Sequence, residues 1–278
     1  KNTSYMLTEL LNINPFLLFF CGVSLLYVGS EALINNSKLL ASKFNIPPII
    51  IGVTIVALGT SLPEFVVSMN AAMKNQSELL IGNILGSNIS NIAFVLGVIL
   101  LFLPFEFRKK ISLLKFSPTS FNIIFLFLVT FLFSLFLSKF ILDTVNGSIL
   151  LILFFIYIFI LFKYFNKKQN IFANSNNHYL FLYVILSSFL LSWGSDIFIV
   201  GALGIADLIG LNKLSVGLTI AAFGTSTPEL FVSIKSAIKK EYDFVAGNII
   251  GSNIINIVFV TSISCLINTI NIDSILII

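Results

Sequence analysis

"GTSLPE" occupies residues 59–64 and "GTSTPE" residues 224–229. Each sits in a stretch apolar enough to cross a bilayer as a helix, which needs about 20 such residues. Proline inside a helix removes an N–H and clashes with the preceding turn. A carboxylate at the centre of a bilayer costs at least about 2.5–3.5 kcal/mol on insertion scales and is functional by default. A chain that places both together in a membrane, twice, is read first as a pair of broken helices built around charge.

The rest of the chain fits that reading. Its 278 residues are 57% hydrophobic and 10% charged, with 30 Phe, whereas soluble domains carry about 25% charged residues. The apolar runs are continuous rather than alternating, which excludes a transmembrane β-barrel. The fold class is an all-α polytopic membrane protein in contact with the lipid bilayer. Helices are predicted at about 15–36, 47–72, 79–103, 118–138, 144–165, 178–203, 213–238 and 244–268. A further segment begins at "INIDSILII", residues 270–278. The first 14 residues lack a basic stretch followed by a small-residue cleavage site, so no signal peptide is expected.

Positive charge sorts onto alternating sides. Of the 16 Lys and Arg, 12 fall on one side, among them Lys38, Lys43, Arg108, Lys163, Lys235 and Lys239, leaving Lys1, Lys74, Lys139 and Lys213 as the other 4. By the positive-inside rule the rich side is cytoplasmic and the N-terminus faces outward. The net charge of +4 therefore resides in loops flanking the membrane and is no sign of a nucleic-acid partner. Cys21 and Cys265 lie in apolar runs and give no disulfide or thiolate framework. His178, the only histidine, falls in a polar loop and reads as solvated.

The two hexapeptides belong to a larger duplication. At an offset of 165, residues 52–94 align with 217–259 without a gap, and 23 of the 43 positions are identical. "GNILGSNISNI" and "GNIIGSNIINI" follow the hexapeptides, and Gly29-Ser30-Glu31 matches Gly194-Ser195-Asp196. Such self-similarity marks a repeated structural unit. Glu64 falls in the second predicted helix and Glu229 in the seventh. Five helices of separation, an odd number, turn the second copy upside down relative to the first. Inverted repeats with interrupted helices are the architecture of secondary transporters, whose site lies between the repeats. The organisation is a first repeat over 11–165, a cytoplasmic linker over 166–177, and a second repeat over 178–278. Two further C-terminal helices, counterparts of the fourth and fifth, are expected beyond residue 278.

The chemistry follows from the residue types. The proline breaks should free backbone carbonyls around Ala57–Thr60 and Ala222–Thr225, and a cation is the natural partner for such carbonyls at membrane depth. The hydroxyls of Thr and Ser and the carboxylate of Glu are hard oxygen donors, suited to Ca²⁺ or Na⁺ rather than a soft metal. Asn83, Ser87 and Asn91 recur every four residues and share a helix face, as do Asn248, Ser252 and Asn256. Gly82/Gly86 and Gly247/Gly251 form small faces for close helix approach. Taken singly, Ser, Thr and Asn in membrane helices serve more often as interhelical hydrogen bonders than as ligands. Glu64 and Glu229 differ, because no Lys or Arg lies in the middle of their spans, Lys213 and Lys235 falling near the two ends of the second. A mobile metal ion or proton must neutralise them. Glu31 and Asp196 read as solvated acids near helix ends.

These two motifs resemble the repeats of the calcium/cation antiporter superfamily, the sodium/calcium exchangers in particular. The likeness spans both repeats and the helix order. It implies a ten-helix fold, five plus five inverted, with alternating access and with Ca²⁺ and Na⁺ as transported ions. By position it implies Glu64 and Glu229 as central carboxylates and Thr60 and Thr225 as carbonyl ligands of Ca²⁺. Ala57 and Ala222 are implied as carbonyl ligands of Na⁺, with Ser61, Ser87, Asn91, Ser226, Ser252 and Asn256 completing the polar cluster. Where several members of the family carry Asp, this chain has Asn256. The short loop at 166–177 leaves no room for a large Ca²⁺-sensing insert, which points to a prokaryotic exchanger in the plasma membrane. No cofactor and no obligate protein partner are expected. A Ca²⁺/H⁺ exchanger is the near alternative, since two carboxylates sharing a site repel and could hold a proton in place of metal. An intramembrane hydrolase would need a cation clamp that the spans lack. A passive channel fits mirrored proline breaks less well than alternating access does.

Overall fold

The computed structural model describes residues 14–102, 117–165, 179–210 and 224–271. Nine helices form among them: α1 (Pro15–Lys43), α2 (Pro48–Thr60), α3 (Leu62–Met73), α4 (Ser77–Leu101), α5 (Pro118–Leu137), α6 (Thr144–Phe165), α7 (Leu180–Leu208), α8 (Thr227–Ile238) and α9 (Tyr242–Ile267). Two short antiparallel strands, β1 (Ile141–Leu142) and β2 (Ile270–Asn271), pair with each other. Six helices are long and apolar enough to cross a membrane, and α2 with α3 make a seventh span bent by 52°. The bend sits at Ser61, whose φ of −84° and ψ of 12° leave the helical region, two residues before the Pro63 ring. A proline-associated kink of this kind breaks one span into two half-helices.

Prolines also open helices. Pro15, Pro48 and Pro118 stand in the first turns of α1, α2 and α5, where a missing N–H costs nothing. Ser117 and Ser120 close a reciprocal cap at the start of α5. The predicted spans match these helices within a few residues except at three places. Helix α1 runs on to Lys43 and α7 to Leu208, each about two turns or one turn past the predicted end. The second predicted span is two helices rather than one. The first half of the predicted span 213–238, with Ala222, lies outside the described residues, as do His178 and the linker.

The two repeats meet about a pseudo-twofold axis. An alanine Cβ at Gly29 would fall 3.0 Å from the Leu191 side chain. Its counterpart at Gly194 would fall 3.1 Å from the backbone of Leu26, so α1 and α7 approach each other reciprocally. Helix α2 crosses α9 backbone to backbone at Gly52 and Gly247. Lys38, Lys235 and Lys239 share one end of the bundle. There Glu31 of α1 pairs with Lys235 (2.8 Å) and Lys239 (3.0 Å) of α8, and Lys38 pairs with Glu241. At the other, Asn268 donates to the carbonyl of Ala72 (3.3 Å) and to Asn75, and β1 meets β2.

Candidate cation site

Ser61 and Ser226 sit at the N-terminal ends of half-helices α3 and α8, with Pro63 and Pro228 in their first turns. Glu64 and Glu229 follow in those same turns, where the partial positive charge of a helix N-terminus favours an anion. Both glutamates are 0% exposed. Pro63 and Pro228 have no N–H to give the carbonyls of Gly59 and Gly224, four residues earlier. Ser195 of α7 reaches across and donates its hydroxyl to the Gly224 carbonyl at 2.8 Å. Ala57 departs from expectation. Its carbonyl accepts both the Ser61 N–H (3.0 Å) and the Thr60 hydroxyl (3.1 Å), so the proline break does not free it. The reason is register: the missing donor of Pro63 falls two residues further on, at Gly59.

Hydrogen bonds within and between the repeats fix the second wall, and most come in symmetric pairs. Asn83 donates to the Glu64 carbonyl (3.0 Å) and the Ser68 hydroxyl (2.9 Å). Asn248 does the same to Glu229 (3.1 Å) and Ser233 (3.0 Å). Across the axis, Thr60 meets Ser252 at 3.2 Å and Thr225 meets Ser87 at 3.4 Å. Thr60 also donates to Asn248 Oδ1 at 2.9 Å. Asn91 donates its amide to Asn253 (3.0 Å), and Asn256 donates to Asn88 (3.3 Å). Turns of π-helix begin at Asn91 in α4 and at Ile255 in α9. Such bulges occur often at functional sites.

Symmetry breaks at the carboxylates. Ser61 donates to Glu229 Oε1 at 3.1 Å, but no hydrogen bond of Ser226 to Glu64 mirrors it. Both oxygens of Glu64, Oε2 of Glu229, Oδ1 of Asn91 and of Asn256 and Oγ of Ser226 are buried without a hydrogen-bond partner. Nearly all buried polar atoms find partners. These six acceptor oxygens belong to α3, α4, α9 and the start of α8, and Ca²⁺ takes six to eight oxygens, about that many. Among the described residues no cluster of three or more His, Cys, Asp or Glu exists, so the donor set rests on two carboxylates with amide and hydroxyl oxygens.

Eleven of the twelve expected site residues are thus described, and all but Ala57 offer an oxygen to this cluster or a bond within it. Sequence reading missed Ser68, Ser233, Asn88 and Asn253. All four are among the repeat identities, but none falls on the every-fourth-residue stripe that was followed. Glu31, expected to be a solvated acid near a helix end, is 40% exposed but lies well inside α1 and pairs with Lys235 of α8 and with Lys239 at its end.

Comparisons with known proteins agree with this architecture. The chain is 36% identical to the membrane protein MJ0091 of Methanocaldococcus jannaschii, over 86% of this chain and 77% of that protein. It is 29% identical to the sodium/calcium exchanger MaX1 of Methanosarcina acetivorans, over 90% of this chain and 82% of the relative. The solved sodium-calcium exchanger NCX_Mj, soaked with zero Na⁺ and Ca²⁺, superposes with a TM-score of 0.79 at 31% identity, covering 94% of this chain and 84% of that one. Residues 14–163 and 179–278 match the sodium/calcium exchanger protein family. With its inverted repeats, broken helix and buried carboxylate pair, the chain belongs to that family of membrane cation/Ca²⁺ antiporters.

Proposed function

We propose that this protein exchanges Ca²⁺ for Na⁺ by alternating access, with both ions bound in turn between Glu64 and Glu229. The observation that carries the reading is the pair of fully buried carboxylates with three of their four oxygens open. No ion pair to either is present among the described residues, so their charge of −2 calls for a mobile counter-charge. One Ca²⁺ neutralises it, as do two Na⁺. Neutrality matters because a net charge is costly to carry through hydrocarbon. Thr60, Thr225, Ser61, Ser226, Ser87, Ser252, Asn91 and Asn256 supply neutral oxygens around the pair, and the Ala222 carbonyl is assigned with them from the family pattern. Ala57 contributes its carbonyl to Na⁺ only if Thr60 turns its hydroxyl elsewhere.

A Ca²⁺/H⁺ exchanger is the second reading, because open carboxylate oxygens accept protons as readily as metal. Uptake of ⁴⁵Ca²⁺ into vesicles containing the protein, driven by an imposed Na⁺ gradient, separates the two. Na⁺-driven uptake supports the proposal; uptake driven only by a pH gradient supports the alternative; uptake without any counter-ion revives a channel. We assign the lysine-rich end, with Lys38, Lys235 and Lys239, to the cytoplasmic face of a prokaryotic plasma membrane, with the N-terminus outside. A cysteine at Lys163 should then label only from the cytoplasmic side and one at Lys74 only from outside.

A further inference from the structure

Asn88 and Asn253 are one residue beyond the serines of the site and are absent from its expected ligand set. They are symmetry mates, and they lie on the pseudo-twofold axis. The amide nitrogen of Asn88 reaches the carbonyl of Asn253 at 3.4 Å, and that of Asn253 reaches the carbonyl of Asn88 at 3.4 Å. Their nitrogens committed, each side-chain oxygen can only accept. Asn88 Oδ1 takes the amide of Asn256, and Asn253 Oδ1 takes the amide of Asn91.

An asparagine side chain is nearly symmetric in shape, and the direction of its amide is set by its hydrogen-bond partners. Turned one way it offers a cation an oxygen; turned the other it offers two N–H dipoles that repel it. Here the choice is made by the axial pair. With an acceptor behind each nitrogen, Asn91 and Asn256 must present Oδ1 forward, and those two oxygens are the ones left buried and open. We infer that Asn88 and Asn253 are positioning residues: they fix the amide direction of Asn256 and Asn91 and so make two neutral asparagines into cation ligands. The inference rests on the proposed reading of the site as a Ca²⁺ site.

A rescue cycle tests it. In Asn88→Ala the Asn256 amide loses its acceptor and can turn, so the half-saturating Ca²⁺ concentration should rise about tenfold, the weight of one hydrogen-bond-sized interaction. The maximal rate should stay within about twofold if only ground-state binding is lost. Asn256→Asp presents an oxygen whichever way it turns. The introduced carboxylate cannot donate to Asn88 Oδ1, so in that background Asn88→Ala removes only a contact between two acceptor oxygens and should leave the half-saturating concentration unchanged or lower, against a rise of about tenfold in the wild type. An equal loss in both backgrounds would mean that Asn88 acts only through packing, and would overturn the inference. The mirror cycle, Asn253→Ala with Asn91→Asp, gives the same readout if one set fails to fold. Binding is read in parallel as the Ca²⁺-induced rise in melting temperature of the purified protein, so a slow variant still reports. If the wild type shows neither Ca²⁺ uptake nor that rise, the proposed function falls and this inference with it. An additive cycle with Ca²⁺ binding intact defeats only the inference.

Discussion

Gly251→Ala separates helix propensity from packing, because the two predict opposite signs. Alanine in place of glycine inside a helix should stabilise it by about 0.8–1.0 kcal/mol on propensity alone. At Gly251 the added Cβ would stand 2.6 Å from Val53 Cα, 2.7 Å from Val53 O and 2.8 Å from Ala57 Cβ. Carbon–carbon contacts are comfortable at about 3.5–4.0 Å, so α9 must retreat from α2 by roughly 1 Å. Two of the three obstacles are backbone, which cannot swing aside. Overpacking of this kind costs about 1–3 kcal/mol. The retreating helix also carries Asn248 and Ser252, bonded to Thr60 at 2.9 and 3.2 Å. A shift of about 1 Å carries both beyond hydrogen-bond range, at roughly 0.5–1.5 kcal/mol each. Packing therefore outweighs propensity, with a net loss of roughly 1–5 kcal/mol. The melting temperature of the purified protein should fall, and Ca²⁺ uptake into vesicles should be lost with the displaced Thr60–Ser252 contact. A variant at least as stable as wild type with normal uptake would refute the crossing geometry.

Glu64→Gln and Glu229→Gln should each abolish Ca²⁺ uptake while the protein still inserts, since each removes half of the charge that balances one Ca²⁺; near-wild-type uptake in either would sink the assignment. Asn256→Asp should make Na⁺-driven Ca²⁺ uptake more sensitive to acid between about pH 6 and pH 8, because an aspartate crowded by two carboxylates can take a proton that asparagine cannot. Superimposable pH profiles would place Asn256 away from the ions. Glu31→Gln should free Lys235 and Lys239 and alter the ratio of half-saturating Ca²⁺ measured from the two sides of oriented vesicles, with the summed binding capacity unchanged. An unaltered ratio would mean that these pairs are passive surface contacts.

Sequence periodicity located the helices because hydrocarbon demands a span of fixed length and internal backbone bonding, and both leave plain marks on composition. The carboxylates were legible for the same reason: an acid without a partner in an apolar run has few explanations. What could not be read was anything that depends on one repeat touching the other. The Thr60 hydroxyl, with one proton, stands between the Ala57 carbonyl and Asn248 of the other repeat, a choice among rotamers that composition does not record. The axial role of Asn88 and Asn253 exists only once the repeats are folded against each other, and the duplication shows that they are shared without showing that they face. The grip of Lys235 and Lys239 on Glu31 joins residues about 200 apart, across a crossing no local pattern encodes.

Among the described residues that grip is found at one mouth only. Tyr27, Glu31, Asn35 and Lys38 on α1 meet Lys235, Lys239 and Glu241 through ion pairs, an amide contact of 2.8 Å and a cation over an aromatic ring at 3.5 Å. The counterparts at the offset of 165 are Ser192, Asp196, Val200 and Leu203 for the first group and Asn70, Lys74 and Gln76 for the second. Among the described residues Asp196 makes no ion pair. Two perfectly matched inverted halves would give inward-open and outward-open forms related by a twofold rotation, degenerate in energy and equally populated without ions. A clasp at one mouth lifts that degeneracy. If the protein alternates access as proposed, the ion pairs of Glu31 and Lys38 weight its two forms unequally, and Glu31→Gln shifts the balance between them.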